Sequence, residues 1–157
     1  MGIHRYSWQI DKKFFEAFEN TEFIESALTA DLDLEKQERM MILHFNIRGN
    51  VTVPCDRCLE DLVFNVDVKE SYFIKFGTER KEESEDVIVI TDSEYQVDVS
   101  TLVNEYITLS LPIRKVHEPD EKGNSGCNEE VIKKIEELSV KKGIDHRWDQ
   151  LRNIKLE

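Results

Sequence analysis

Cys55 and Cys58, separated by Asp56 and Arg57, are the residues of this chain best suited by type and spacing to do chemistry. Two thiolates at that spacing can take one edge of a tetrahedral zinc ion, which then needs two further ligands from elsewhere in the fold. Few side chains are available to supply them. His117 and the third cysteine, Cys127, flank the polar loop Glu118 to Gly126 and are the best candidates. One structural Zn2+ held by Cys55, Cys58, His117 and Cys127 would staple a hairpin tip to the C-terminal part of the chain. The plainer alternative leaves His117 in a solvated loop and Cys127 as a small apolar residue ahead of a helix.

A Cys-x-x-Cys can also be redox-active, and Arg57 would lower the pKa of a neighbouring thiol. Redox pairs, however, gain their reactive thiolate from a helix N-terminus that follows a strand. Here the flanks Val51-Thr52-Val53 and Leu62-Val63-Phe64 both read as strands. Hydrolytic and group-transfer chemistry has less support. The chain has no Gly-x-Ser-x-Gly, no Walker-type loop and no His-Glu-x-x-His, and the many carboxylates are what an acidic surface produces. No catalytic residue is assigned, and the chain is expected not to be an enzyme or to take a small-molecule substrate.

The elements that must position these residues follow from hydropathy patterning. Leu28, Ala30, Leu32 and Leu34 alternate with polar neighbours, as do Met41, Leu43, Phe45, Ile47, Val51 and Val53, with a flaw at Gly49-Asn50. A third run, Leu62 through Phe76, repeats the period of a half-buried strand. The link Pro54 to Asp61 is too short for a parallel crossover, so the second and third runs form an antiparallel hairpin with the cysteine pair at its tip. Tyr6 to Ile10 and Val87 to Ile90 suggest further short strands. Phe14, Phe15 and Phe18 fit a short helix. Leu102, Val103, Tyr106 and Ile107 fit a second, capped by Asp98 or Ser100, and Asn128 to Lys142 a third. A last helix should start at Asp145, and the acid-rich run Glu79 to Asp86 reads as a solvated loop.

The expected fold is α+β: an antiparallel, strongly twisted sheet or partly closed β-barrel, with a long Cys-x-x-Cys-tipped hairpin, packed helices and a C-terminal helical segment. A length of 157 residues with 39% hydrophobic content suits one domain over 1–157. Within it, 1–115 carries the sheet and helices, 116–127 the loop with two ligands, and 128–157 the C-terminal helices. With 21 basic against 33 acidic residues, the formal net charge is −12. Phosphate backbones and membrane surfaces repel such a chain, which should prefer basic partners. No apolar run resembles a signal peptide or spans a bilayer, so a cytoplasmic location is expected. Arg57 at the hairpin tip, with Arg147 and Trp148 in the tail, are the partner-binding candidates. The competing role for Trp148 is to dock the tail on the body.

The stretch Val51-Thr52-Val53-Pro54-Cys55-Asp56-Arg57-Cys58-Leu59-Glu60 resembles the signature of the YceD-like family. Asp98-Val99 through Leu111-Pro112-Ile113 is similar to that family's helix ending in Leu-Pro, with His117 and Cys127 following where members carry His or Cys. The tail Asp145-His146-Arg147-Trp148-Asp149-Gln150-Leu151 resembles an Asp-Pro-Arg-Trp-x-x-Leu ending, with His146 in place of proline. Some members carry a richer C-terminal cysteine cluster than Cys127 alone. The resemblance implies a non-enzymatic, metal-binding factor in ribosome biogenesis, linked to accumulation of large-subunit (23S) rRNA. Its partner would be a basic ribosomal protein or the assembling large subunit, with rRNA contacted directly or indirectly. The acid surplus favours the indirect route. A zinc-dependent nucleic-acid-binding protein, or a thiol-redox protein using Cys55 and Cys58, are the alternatives.

Overall fold

The alternating runs fold as strands because each presents one apolar face to a common core and one polar face to water. The computed structural model describes residues 2–91, 93–94, 96–119, 121, 123 and 125–139. Its strands are β1 (Gly2–Ile10), β2 (Glu25–Lys36), β3 (Met40–Pro54), β4 (Asp61–Gly77), β5 (Lys81–Ser84) and β6 (Val87–Thr91). Its helices are α1 (Lys12–Glu16), α2 (Ser100–Ser110) and α3 (Glu129–Leu138). The strands form one six-stranded sheet in the order β1-β2-β3-β4-β6-β5.

Register puts the apolar residues in rows. Leu28 faces Gly49, which faces Val66; Ala30 faces Ile47, which faces Val68; Leu34 faces Leu43, which faces Tyr72. Most of these residues are buried. The opposite face carries Asp31, His44, Asn46 and Lys69. Gly49 is the flaw in β3 turned to use. Its φ is +140°, and a Cβ there would lie 2.1 Å from the Ala27 carbonyl oxygen, so only glycine lets β2 and β3 approach at this point.

Two helices close the apolar face. Asp11 caps α1 by accepting from the Lys13 N–H at 3.1 Å, and Phe15 stacks on Phe23 with ring centroids 3.9 Å apart. In α2, Val103 and Ile107 are buried and Tyr106 meets Phe45 edge-on at 5.5 Å. Each such side chain contributes about 1.5–3 kcal/mol when fully buried. Neither capping candidate takes the role: the N-cap position of α2 is Val99, which makes no side-chain cap bond, while Asp98 just before it accepts from both the backbone N–H and the hydroxyl of Ser100.

Three expectations need correction. The sheet is open, not partly closed into a barrel: its order ends in β1 on one side and β5 on the other. Nor is it wholly antiparallel, because β6 pairs parallel to β4, with Phe73 opposite Val87. The chain leaves β4, runs back as β5 one position further out, and returns as β6 into the gap between them. The run Glu79 to Asp86 is therefore not all loop; Lys81–Ser84 is an edge strand with every residue exposed. Helix α3 is described as far as Leu138, short of Lys142, and the helix expected from Asp145 lies outside the described residues. Among the described residues, no helix is long and apolar enough to cross a membrane.

Candidate metal centre

Strands β3 and β4 pair to their ends, with Pro54 opposite Asp61, so the loop between them begins at Cys55. It is folded tightly. The Cys55 N–H donates to the Glu60 carbonyl at 2.8 Å, and the Leu59 N–H donates to the Cys55 carbonyl at 2.9 Å. To make this turn Leu59 adopts a left-handed φ of 63°, leaving its side chain 76% exposed. Both sulfurs are thereby directed to one side, and Cys55 and Cys58 are buried.

The segment after α2 returns alongside this loop and delivers His117. Its Nε2 lies 3.3 Å from the Asp61 carbonyl, which can only accept, so Nε2 carries the proton and the Nδ1 lone pair is left to accept a hydrogen bond or bind a metal. That Nδ1 lies 3.4 Å from the Cys58 sulfur. The chain then loops back. Gly126 passes so close to this segment that a Cβ there would lie 2.3 Å from the Glu118 carbonyl oxygen. Cys127 follows, buried, with its sulfur 3.8 Å from that of Cys55. Asn128 then caps α3, accepting from the Glu130 N–H at 2.9 Å while its amide donates to Glu60 of the hairpin loop at 2.6 Å. Val131 and Ile132 of α3 and Leu62 and Val116 pack around the three cysteines, a small cluster separate from the main core.

Cys55, Cys58, His117 and Cys127 are thus brought together, with one ligand atom from each lying within 4.8 Å of all the others. The four residues form a set that could bind a metal ion. The electrostatics differ from thiol to thiol. Burial raises the Cys55 thiol, but hydrogen bonds from the backbone N–H groups of Cys58, Arg57 and His117 outweigh it and bring the pKa down to about 6. The Ser125 hydroxyl lowers the Cys127 thiol, while burial pushes Cys58 up. Hydrogen bonds to the sulfurs of Cys127 and Cys55 raise the pKa of His117, although Cys58 is the sulfur that its Nδ1 meets at 3.4 Å.

Arg57 is exposed and reaches across the site to donate to the Ser125 hydroxyl at 3.3 Å. Arg147 and Trp148 lie outside the described residues. Several supporting residues left no mark in the sequence. Asp56, Ser125, Gly126 and the Glu60–Asn128 pair hold the four clustered side chains in place, yet their types are ordinary for loops.

A family model described as Large ribosomal RNA subunit accumulation protein YceD matches residues 43–155, a span that contains all four clustered residues. No curated protein and no solved structure matches the chain.

Proposed function

The chain belongs to the YceD family, and on that premise we propose that it is a non-enzymatic factor supporting accumulation of large-subunit (23S) rRNA by binding a basic ribosomal component. The family match carries the ribosomal role. The route is argued from charge. At −12, contact with a phosphate backbone would cost repulsion where rRNA-binding proteins gain counterion release, whereas a basic ribosomal protein is attracted. Arg57, Arg147 and Trp148 are candidate contacts with that partner.

Zn2+ is the ion the donor set suits best, because three thiolates and an imidazole make a closed tetrahedral structural site. With Zn–S of about 2.3 Å and Zn–N of about 2.0–2.1 Å, such a tetrahedron has edges of roughly 3.8 Å between sulfurs and roughly 3.5 Å between sulfur and nitrogen. The Cys55–Cys127 and Cys58–His117 separations are 3.8 and 3.4 Å. Four protein ligands leave no open position for substrate. The ion's role in this reading is to tie the tip of the β3–β4 hairpin to the segment leading into α3.

A pull-down of the tagged protein from its own cells, with and without RNase, tests the reading. Large-subunit proteins that remain bound after RNase treatment, and fall away as salt rises, are the expected result. Loss of all of them on RNase treatment would favour the zinc-dependent nucleic-acid-binding alternative.

A further inference from the structure

A second feature lies away from the cysteines, on the core face of the sheet where α2 stops short of the β5 edge. A cleft of about 780 Å3 opens there between β5, β6 and the N-terminal half of α2. Its floor is apolar, made by Tyr72, Ile88, Ile90 and Leu102. Its rim is acidic, made by Glu82, Glu85, Asp98 and Glu105 with Glu83 beside them. Among the described residues, Arg80 is the one cation lining it, and Arg80 is engaged by Glu94. Glu83 is drawn off by Lys75 at 2.6 Å. Among the described residues, no ion pair engages Glu82, Glu85 or Glu105.

Glu82 is placed by register. It pairs with Ile88 in the β5–β6 ladder, so it stands on the same face as the buried Ile88, beside the apolar floor. Nearby carboxylates act on the two tyrosines of this face. Burial and then the nearby Glu82 push Tyr72 up, and burial with Asp86 and Glu70 pushes Tyr106 up to about 12.

We propose that this cleft receives a lysine- or arginine-bearing polypeptide segment of the partner, its apolar side chains on Tyr72, Ile88 and Leu102 and its cations between Glu82, Glu85 and Glu105. Charge complementarity selects a basic occupant, and the apolar floor selects a polypeptide over a simple polycation. The inference rests on the reading that the partner is a basic ribosomal component, and it names where on this chain that partner is held.

The test compares two triple variants of equal charge. Glu82→Gln, Glu85→Gln and Glu105→Gln neutralise the cleft; Glu16→Gln, Glu19→Gln and Glu25→Gln neutralise exposed positions elsewhere. Each moves the formal net charge from −12 to −12 + 3 = −9. The probe is a fluorescein-labelled peptide of alternating lysine and leucine, read by anisotropy at low salt. The cleft triple should weaken binding by about tenfold, and the control triple by about threefold at most. Equal losses in both, or no binding by the native protein, would overturn the proposal. The same variants in the RNase-treated pull-down separate it from the functional reading. If the cleft triple retains ribosomal proteins as the native protein does, the cleft is not the partner site and the functional reading stands. If the native protein retains none while the peptide still depends on the cleft, the functional reading fails and the cleft remains a site for basic peptides.

Discussion

Asp56 and Lys115 are joined by a reciprocal pair of hydrogen bonds: the Asp56 N–H donates to the Lys115 carbonyl at 2.7 Å, and the Lys115 N–H donates to the Asp56 carboxylate at 2.6 Å. The pair bridges the hairpin loop and the segment that carries His117, one residue from Cys55 and two from His117. It fixes the distance between the two halves of the Cys55–Cys58–His117–Cys127 cluster through polypeptide contacts alone. Replacing Asp56 by Ala removes one of the two bonds and no ligand. Metal affinity should fall by about 10–100-fold, the range for losing an outer-sphere contact, with metal still bound at saturation. Competition against a chelating dye measures it.

The cysteine cluster should behave as a structural metal site. The native protein is expected to carry one tightly held zinc equivalent and Cys55→Ser none, by metal analysis of purified samples. Chelation should lower the unfolding free energy of the native protein by about 4 kcal/mol relative to free zinc held near a thousand times Kd. Cys55→Ser should show no response to chelator. Turnover of a model disulfide by the native protein would instead favour the thiol-redox alternative.

Gly49 sits where β2 and β3 come closest, and its φ of +140° is one that residues with a side chain rarely adopt. Gly49→Ala forces a Cβ into the Ala27 backbone and should cost about 3 kcal/mol or more, read by urea unfolding. The same change at Gly123, where a Cβ would meet nothing within 4 Å, carries only the cost of its φ of 81° and should be milder.

The Asp98–Ser100 turn ahead of α2 predicts an acid-dependent loss. Ser100 hydroxyl and N–H hold the Asp98 carboxyl below its ordinary value of 3.8. A depressed folded pKa contributes stability that is full above the unfolded value and disappears as pH falls through the folded one. Asp98→Ala should therefore cost at most about 1 kcal/mol at neutral pH, the two hydrogen bonds being exposed to solvent. The gap between the two proteins should close below about pH 4. Paired urea titrations across that range measure it.

Much of this architecture is legible in the residues because burial imposes a period. β2, β3 and β4 alternate cleanly, having one wet face and one covered by α1 and α2. The clustering of Cys55, Cys58, His117 and Cys127 is legible because thiols and imidazoles are scarce here and loops connect them. β5 is not legible: all four of its residues are exposed, so no hydrophobic period marks it, and a run of acids looks like a loop. The parallel β4–β6 pairing is likewise hidden, because it depends on where the chain re-enters the sheet. The Asp56–Lys115 bridge and the β5–α2 cleft join positions far apart in sequence through backbone groups and common surface residues, which carry no local pattern.

The proposed route brings the acidic chain to the large subunit through a basic protein, with rRNA protected indirectly. Purified protein mixed at physiological ionic strength with either a 23S rRNA transcript or salt-extracted large-subunit proteins tests this directly. Binding to the protein fraction that weakens with added salt, and no band shift of the naked transcript, is the predicted result. Tight binding to the transcript alone, with none to the protein fraction, would contradict it.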